Sequence, residues 1–338
     1  MKISILIPCH NEAPSIRRCV ESCLNQSRKA DQIVVVNDGS TDESGKILAT
    51  FGNKIKVVTI PKATGNKSFA QEQGLKYISG DVFIATDGDT ILDKNFVKRI
   101  EIDFADGDVA AVAGYVRSLK HNWLTACREL DYIVGQDLHK VAQKHLNFLF
   151  VIPGCAGAFR RDLFLRHMKF EHDTLTEDLD FTYRLHEQYF TVAYDREAIA
   201  YTQDPATLKS YVNQMRRWYA GGWQNLMKHF SLVSRPANAL ELSLMYIEGL
   251  TFSVLLFIFP LININFFKFF LAPYFVFMIL FGIYGSIVRR RLDLLVYSPC
   301  YIFLIFINSF VFLEQFVKEV IFRKKSLFWF KPERRIIT

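Results

Sequence analysis

Short apolar runs and polar clusters alternate through the first half of the chain. Ile3-Ser4-Ile5-Leu6-Ile7, closed by Pro8, is a near-continuous apolar run, as expected of a strand covered on both faces. Ile33-Val34-Val35-Val36, Ile55-Lys56-Val57-Val58 and Val82-Phe83-Ile84-Ala85 repeat the pattern. Helical stretches separate these runs. One has Pro14 near its start, one opens at Thr41-Asp42-Glu43 with acidic side chains at the positive end of the dipole, and one covers Ser68–Ser79. This order predicts a mostly parallel sheet with helices on both faces. Such sheets bind ligands at the carboxyl ends of their strands. Asn11-Glu12, Asn37-Asp38 and Asp87-Gly88-Asp89 each follow a strand, so three separate segments aim polar groups at one crevice. Cys19 and Cys23 share a helix face and read as core packing.

Farther on, helices are expected at Trp123–His145 and Glu177–Gln188, on either side of a glycine-rich stretch, Pro153–Arg161. Two short strands follow, near Thr191–Tyr194 and Ala198–Thr202. After Pro205 the pattern changes. Thr207–Phe230 sets Leu208, Tyr211, Met215, Trp218, Tyr219 and Leu226 beside Lys209, Arg216, Arg217 and Lys228. A basic, aromatic amphipathic helix of this kind suits a membrane interface; its bland alternative is a surface helix packed on the core. Between Ser243 and Val288 the charged residues are Glu248 and Lys268 alone. Roughly 20 apolar residues cross a bilayer core, so this stretch holds two spans, divided near Asn263-Ile264-Asn265. Leu294–Leu313 is a third candidate. Arg289-Arg290-Arg291 marks the cytoplasmic side, and the basic tail with Arg323, Lys324, Lys325, Lys331, Arg334 and Arg335 prefers that side too. Three full spans would separate the two, so either the third segment is re-entrant or one segment lies in the interface. The expected layout is a catalytic domain over 1–205, an interfacial helix region over 206–235, a transmembrane region over 236–322 and a tail over 323–338.

Composition narrows the partners. Of 338 residues, 50% are hydrophobic and 22% charged, which excludes a disordered chain. The net charge is +7, and most of the excess lies after Pro236, in the apolar part. An apolar, basic segment points to membrane lipid, not nucleic acid. Six scattered cysteines without a CxxC pair argue against a disulfide scaffold or zinc site and fit a reducing compartment. The opening Met1-Lys2-Ile3-Ser4 predicts no cleavable leader. Nothing in the composition indicates an oligomeric state.

Five clusters can carry chemistry. Asp87-Gly88-Asp89 places two carboxylates after a buried strand, where oxygen ligands can hold a hard divalent cation against a diphosphate. Asp38 can accept hydrogen bonds from a base or ribose, or serve an Asx turn; Asp42 reads as a helix cap. Asn11 and Glu12 are equally consistent with a turn. Thr176-Glu177-Asp178 opens a helix, and the same residues allow Asp178 to be a general base. Gln214, Arg217 and Trp218 share a helix face. There Arg217 can grip phosphate bidentately and Trp218 can cover a sugar ring, or both can anchor an interface. The eight histidines form no metal-binding spacing.

Taken in order, Pro8-x-x-Asn11-Glu12, Asn37-Asp38-Gly39-Ser40-Thr41-Asp42, Asp87-x-Asp89, Thr176-Glu177-Asp178 and Gln214-x-x-Arg217-Trp218 resemble the family 2 glycosyltransferases. The likeness is to the membrane-integrated branch that includes cellulose, chitin, hyaluronan and poly-N-acetylglucosamine synthases and ceramide glucosyltransferases. It runs by motif from about Lys2 to Leu226. It implies an α/β GT-A fold and inverting transfer from a nucleotide-diphosphate sugar, most often a UDP-sugar. Under it, Asp38 contacts uracil, Asp87 lies near the nucleotide, and Asp89 binds Mg²⁺ or Mn²⁺. Asp178 is the base, and Gln214, Arg217 and Trp218 serve the diphosphate and acceptor. Gly154 and Cys155 match an acceptor-side loop, and Trp329 with Arg334 and Arg335 resembles a basic aromatic tail. Three positions depart from the pattern: Asn37 stands where Asp is common, Gly65-Asn66-Lys67-Ser68 replaces a Gly-Lys-Ala stretch while keeping Lys67, and Glu72 replaces an Asn.

The expectation is therefore a membrane-bound, metal-dependent, inverting glycosyltransferase with a cytosolic catalytic domain. UDP-N-acetylglucosamine and UDP-glucose are the first donors to test, and the acceptor is a polysaccharide or a membrane lipid. A non-processive lipid glycosyltransferase is the alternative among enzymes. A silent, nucleotide-binding membrane subunit is the alternative of another class.

Overall fold

In the computed structural model, residues 1–168, 170–325 and 327 are described. The chain forms two compact units. The first draws on Met1–Arg117 and Leu149–Gln203, the second on Ser118–Phe148 and the described residues from Asp204 onward.

The first unit is built on an eight-stranded sheet, whose strands are β1 (Ile3–Cys9), β2 (Gln32–Asp38), β3 (Lys56–Ile60), β4 (Val82–Ala85), β5 (Ile91–Leu92), β6 (Val109–Ser118), β7 (Gly157–Arg160) and β8 (Thr191–Thr202). Their order across the sheet is β3-β2-β1-β4-β7-β6-β8-β5. The expected strands are present, but the sheet is parallel only from β3 to β4. β7 runs antiparallel to both β4 and β6, and β5 antiparallel to β8. The two short strands expected near Thr191 and Ala198 are one continuous strand, β8. β1 and β4 are buried throughout, as their unbroken apolar runs require.

Register fixes where the site lies. Cys9 pairs with Asn37 and Leu6 with Ala85, so the loops after β1, β2 and β4 leave one edge of the sheet together. Because β7 is antiparallel, its first residue, Gly157, pairs with Ala85. The Gly154-Cys155-Ala156 loop entering β7 therefore reaches the edge that the polar loops leave. Cys19 and Cys23 are fully buried on the helix Ile16–Leu24, as their spacing suggested.

The second unit is helical. Helix continues from Trp123 to His145, through a wider π-type stretch at Val134–His139. The basic aromatic helix is Leu208–Lys228. Its Tyr211 and Met215 are buried with Leu124, Cys127, Leu304 and Val311, while Trp218 and Tyr219 pack on that cluster. Among the described residues, three helices are long and apolar enough to cross a membrane: Pro236–Ile262, Ile264–Arg289 and Asp293–Ile321. Asn263 divides the first two and caps the second by accepting from the amides of Asn265 and Phe266. The arginines after the second have structural partners: Arg289 pairs with Glu129 and Asp137, and Arg291 with Asp293. Trp329, Lys331, Arg334 and Arg335 lie outside the described residues.

Candidate active site

The loop after β1 is held by its own polar residues. The Asn11 carboxamide oxygen accepts from the backbone N–H groups of Thr41 (2.7 Å) and Asp42 (3.3 Å), tying that loop to the one after β2. Asn11 takes φ 52°, a left-handed conformation that asparagine tolerates. His10 Nδ1 lies 2.6 Å from the Asp38 carbonyl, which only accepts, so this nitrogen carries the proton and Nε2 accepts from the Asn11 amide. Glu12 is buried, and its carboxylate accepts from Ser15. Asp42 accepts from the Ser44 amide in a local turn ahead of the helix Ser44–Ala49, whose N-cap is Glu43, so it is not the helix cap that its sequence suggested. Pro8 is buried at the end of β1.

Asp38 ends β2, and both of its oxygens are engaged by Thr64, through the backbone N–H at 2.9 Å and the hydroxyl at 2.7 Å. Gly39 makes this possible. A Cβ there would lie 2.1 Å from the Ala63 nitrogen, so the loop from Lys62 to Thr64 can rest on Asp38 only over a glycine. Asn66 then caps the helix Lys67–Leu75 and so fixes Lys67 at its first position.

Lys67 is the hub of the site. Its ammonium lies 2.7 Å from Asp87 Oδ1 and 3.2 Å from Glu177 Oε1. Burial alone would discharge it, but the carboxylates of Asp87 and Glu177 outweigh burial and raise its pKa above the ordinary lysine range. Asp178 sits beside this group. Its Oδ2 accepts from the Gly154 amide (3.1 Å) and its Oδ1 from the Leu179 amide (2.9 Å). A Cβ on Gly154 would lie 3.0 Å from Lys67 Nζ and 3.3 Å from Asp178 Oδ2, so the absent side chain is what lets the three groups meet. Thr182 fastens the arrangement, donating to the Asp178 carbonyl and accepting from the Ile152 amide. Thr86, next to the carboxylate pair, donates to the Cys155 carbonyl. Desolvation, then Asp87 and Asp89, push the thiol of half-buried Cys155 well up.

Asp89 is buried, and Asp87 stands two residues away with one oxygen on Lys67. Among the described residues no three His, Cys, Asp or Glu side chains group as a ready-made metal cage. Two carboxylates at a crevice nevertheless fit a divalent ion that takes its remaining ligands from substrate phosphates and water, the usual habit of Mg²⁺.

Pro8, Asn11, Glu12, Asp38, Lys67, Asp87, Asp89, Gly154, Cys155, Glu177 and Asp178 thus belong to the first unit. Gln214, Arg217 and Trp218 lie on the helix Leu208–Lys228 of the second, with Gln214 buried. Thr64, Thr86 and Thr182 were missed in the sequence. Each is an unremarkable threonine whose role depends on a partner far along the chain, and only the turn chemistry of Thr64-Gly65-Asn66 before Lys67 hinted at one.

Residues 4–165 match Glycosyl transferase family 2. The chain is 30% identical over 237 residues to a probable glycosyltransferase, YdaM, of Bacillus subtilis, covering 67% of this chain and 56% of that protein. It is 25% identical over 232 residues to the poly-beta-1,6-N-acetyl-D-glucosamine synthase of Staphylococcus epidermidis, covering 68% and 56%. The chain thus spans little more than half the length of these relatives. Its fold is similar to that of a mannosyltransferase from Pyrobaculum calidifontis in complex with GDP-Man and Mn²⁺ (TM-score 0.66, 16% identity, 96% of this chain and 88% of that one). It is also similar to S. aureus TarS 1-349 in complex with UDP-GlcNAc (TM-score 0.53, 16% identity, 94% and 92%). The chain therefore carries a family 2 glycosyltransferase domain built on a GT-A-like fold.

Proposed function

We propose that this protein is a membrane-integrated, inverting glycosyltransferase that moves a sugar from a UDP-sugar to a polysaccharide or lipid-linked acceptor. The observation that carries this reading is the cluster of Lys67, Asp87, Glu177, Asp178 and Gly154 at the carboxyl edge of the sheet. It supplies a half-buried cation for phosphate, carboxylates for a metal and one carboxylate for a proton. The named synthase relatives and the UDP-GlcNAc complex of TarS support UDP-N-acetylglucosamine as the first donor to try, before UDP-glucose.

An acceptor hydroxyl attacks the anomeric carbon and gives its proton to Asp178. As the new C–O bond forms, the bond to the diphosphate breaks on the opposite face and UDP leaves. The Gly154 and Leu179 amides aim the Asp178 carboxylate, one donating to each oxygen. Lys67 stays charged and lends positive potential to the departing diphosphate. Asp89, with Asp87 beside it, would hold Mg²⁺ or Mn²⁺, which supplies further positive charge to the same group. Gln214, Arg217 and Trp218 serve the diphosphate and the acceptor. The three apolar helices embed in a bilayer, with the catalytic domain on the cytosolic side.

The test uses the full chain in native membranes with UDP-N-acetylglucosamine, UDP-glucose and GDP-mannose. Nucleotide release and mass spectrometry of products should show transfer that is lost in Asp178→Asn. Release from none of the donors above the Asp178→Asn background would reject the enzymatic reading in favour of a silent subunit. Release of the chain by carbonate washing would reject the membrane reading.

A further inference from the structure

The second unit buries an arginine against the QxxRW tryptophan. Arg128, on the helix Trp123–Ile133, is 4% exposed. Its guanidinium carbon lies 4.9 Å from the centroid of the Trp218 ring, and it also stands over Tyr132 at 5.1 Å and Tyr211 at 5.7 Å. Asp131 and Asp204 meet its charge, at 2.5 and 3.5 Å. Those carboxylates are themselves held. Tyr132 donates to Asp204 at 3.0 Å, and the Tyr301 hydroxyl donates to Asp131. Asn122 caps the helix that carries Arg128, and its side-chain amide donates to the Ala206 carbonyl at 2.8 Å. Arg128 and the chain leading into the QxxRW helix are therefore fixed to each other.

A buried ion cluster is weak evidence for stability. Replacing a buried ion cluster by hydrocarbon of similar volume is often neutral or stabilising. What a buried guanidinium adds is direction. With its guanidinium carbon 4.9 Å from the Trp218 ring centroid, Arg128 occupies one face of the indole and restricts how the ring can tilt. An indole has two faces: Arg128 lies over one, and the Trp218 ring is half-buried beside the apolar cluster of Tyr211 and Met215. A sugar ring needs such a flat apolar surface at a set angle, because its C–H groups line its own face.

We propose that Arg128 is a positioning residue for acceptor binding, setting the plane of Trp218 so that its opposite face receives a sugar ring. This rests on the reading of Trp218 as an acceptor platform, and the experiment separates the two. Full-length protein in detergent is titrated with a β-linked N-acetylglucosamine pentamer, and donor affinity is measured separately with UDP-N-acetylglucosamine. The variants are Trp218→Ala, Arg128→Met, Arg128→Lys and the double variant Arg128→Met/Trp218→Ala. Arg128→Met should weaken the pentamer about three- to thirtyfold, the range of a desolvated cation–π contact, with donor affinity unchanged. Arg128→Lys keeps a charge without a stacking plane, should recover only part of the loss, and carries the test if the Met variant does not fold. The double variant should bind no more weakly than Trp218→Ala alone, since residues acting through one contact are not additive. Equal losses from Arg128→Met with and without Trp218, or losses shared by the donor, would overturn the positioning role while leaving the platform intact. Unchanged pentamer binding in Trp218→Ala would overturn the platform, and the positioning role with it.

Discussion

The two units place their chemistry by opposite means. In the first, the candidate site residues gather at one end of a sheet, on strand ends, loops and helix starts, and backbone amides orient two of the carboxylates. Asp178 is aimed by the Gly154 and Leu179 amides, and Asp38 by Thr64. In the second, the polar groups sit mid-helix, and other side chains orient them, as Asp131 and Asp204 do for Arg128. A sheet edge exposes backbone donors at fixed positions, whereas a helix interior has spent its own amides on its own carbonyls. The loop site can hold a carboxylate ready for a proton. The helical site needs a closed network of charges and rings to hold one aromatic plane.

The largest effect that would break this contrast is at Asp178. Asp178→Asn should reduce turnover by about two to four powers of ten while donor affinity survives, because the amide retains an acceptor for the Gly154 N–H. A parallel fall in donor affinity would make Asp178 a binding residue. Next comes Lys67→Met. It leaves Asp87 and Glu177 without their shared cation, and a loss of about ten- to a hundredfold in kcat/KM is expected, at the scale of one hydrogen bond to a charged group. The pH profile sharpens this. The Lys67 pKa is raised in the fold, so the stability it contributes is fully present below the unfolded lysine value of about 10.4 and disappears only as pH rises through the higher folded value. Rate profiles between about pH 6 and 9 should therefore show no inflection that Lys67→Met removes. Such an inflection would mean that the ammonium is not held as described.

The same contrast explains what the sequence revealed. Strands β1, β2 and β4 and their trailing clusters Asn11-Glu12, Asn37-Asp38 and Asp87-Asp89 were legible because a buried parallel strand is an unbroken apolar run and its loop must be polar. The antiparallel half was not. Ala111, Val112 and Ala113 of β6 lie opposite β7, but pairing between strands so far apart in sequence leaves no local trace. β8 read as two strands because Asp195, Arg196 and Glu197 interrupt its apolar pattern; Asp195 is buried in an ion pair with Arg99. On the helices, Arg128 passed unnoticed since a charged residue in a helix usually faces solvent, and only its tertiary partners Asp204 and Trp218 reveal it. Thr64 was hidden in the same way.

Gly154→Ala tests the loop site more gently. Its Cβ would press on Lys67 Nζ and Asp178 Oδ2. The lysine tip can retreat, but it then lengthens its contact with Asp87. A roughly fivefold to fiftyfold loss of turnover is expected, about 1–2 kcal/mol, with melting temperature almost unchanged. A large drop in melting temperature would show that the glycine serves the fold more than the site.

The smallest effect should come from the neighbour of a motif residue, and it separates the two meanings of charge on the QxxRW helix. Arg216 and Arg217 are adjacent, yet Arg216 is outside the motif pattern. Its Nε lies 2.8 Å from Glu314 on the helix Tyr301–Phe316, with the arginine side chain 42% exposed. Glu314 keeps a second partner, Lys318, at 2.8 Å, so removing Arg216 does not strand the carboxylate. With the Arg216 side chain exposed and that of Glu314 19% exposed, the pair contributes about 1 kcal/mol or less. Arg216→Gln should lower the melting temperature slightly and change turnover and acceptor affinity less than about twofold, below the effect of losing one hydrogen bond to a charged group. Arg217→Lys keeps the charge but replaces a bidentate fork with a point charge, and should cost tenfold or more, about 1.4 kcal/mol. Measuring both variants in one membrane preparation orders the two arginines. Equal losses would mean that the helix tolerates no change of charge at either position, and the distinction between the motif arginine and its structural neighbour would fall.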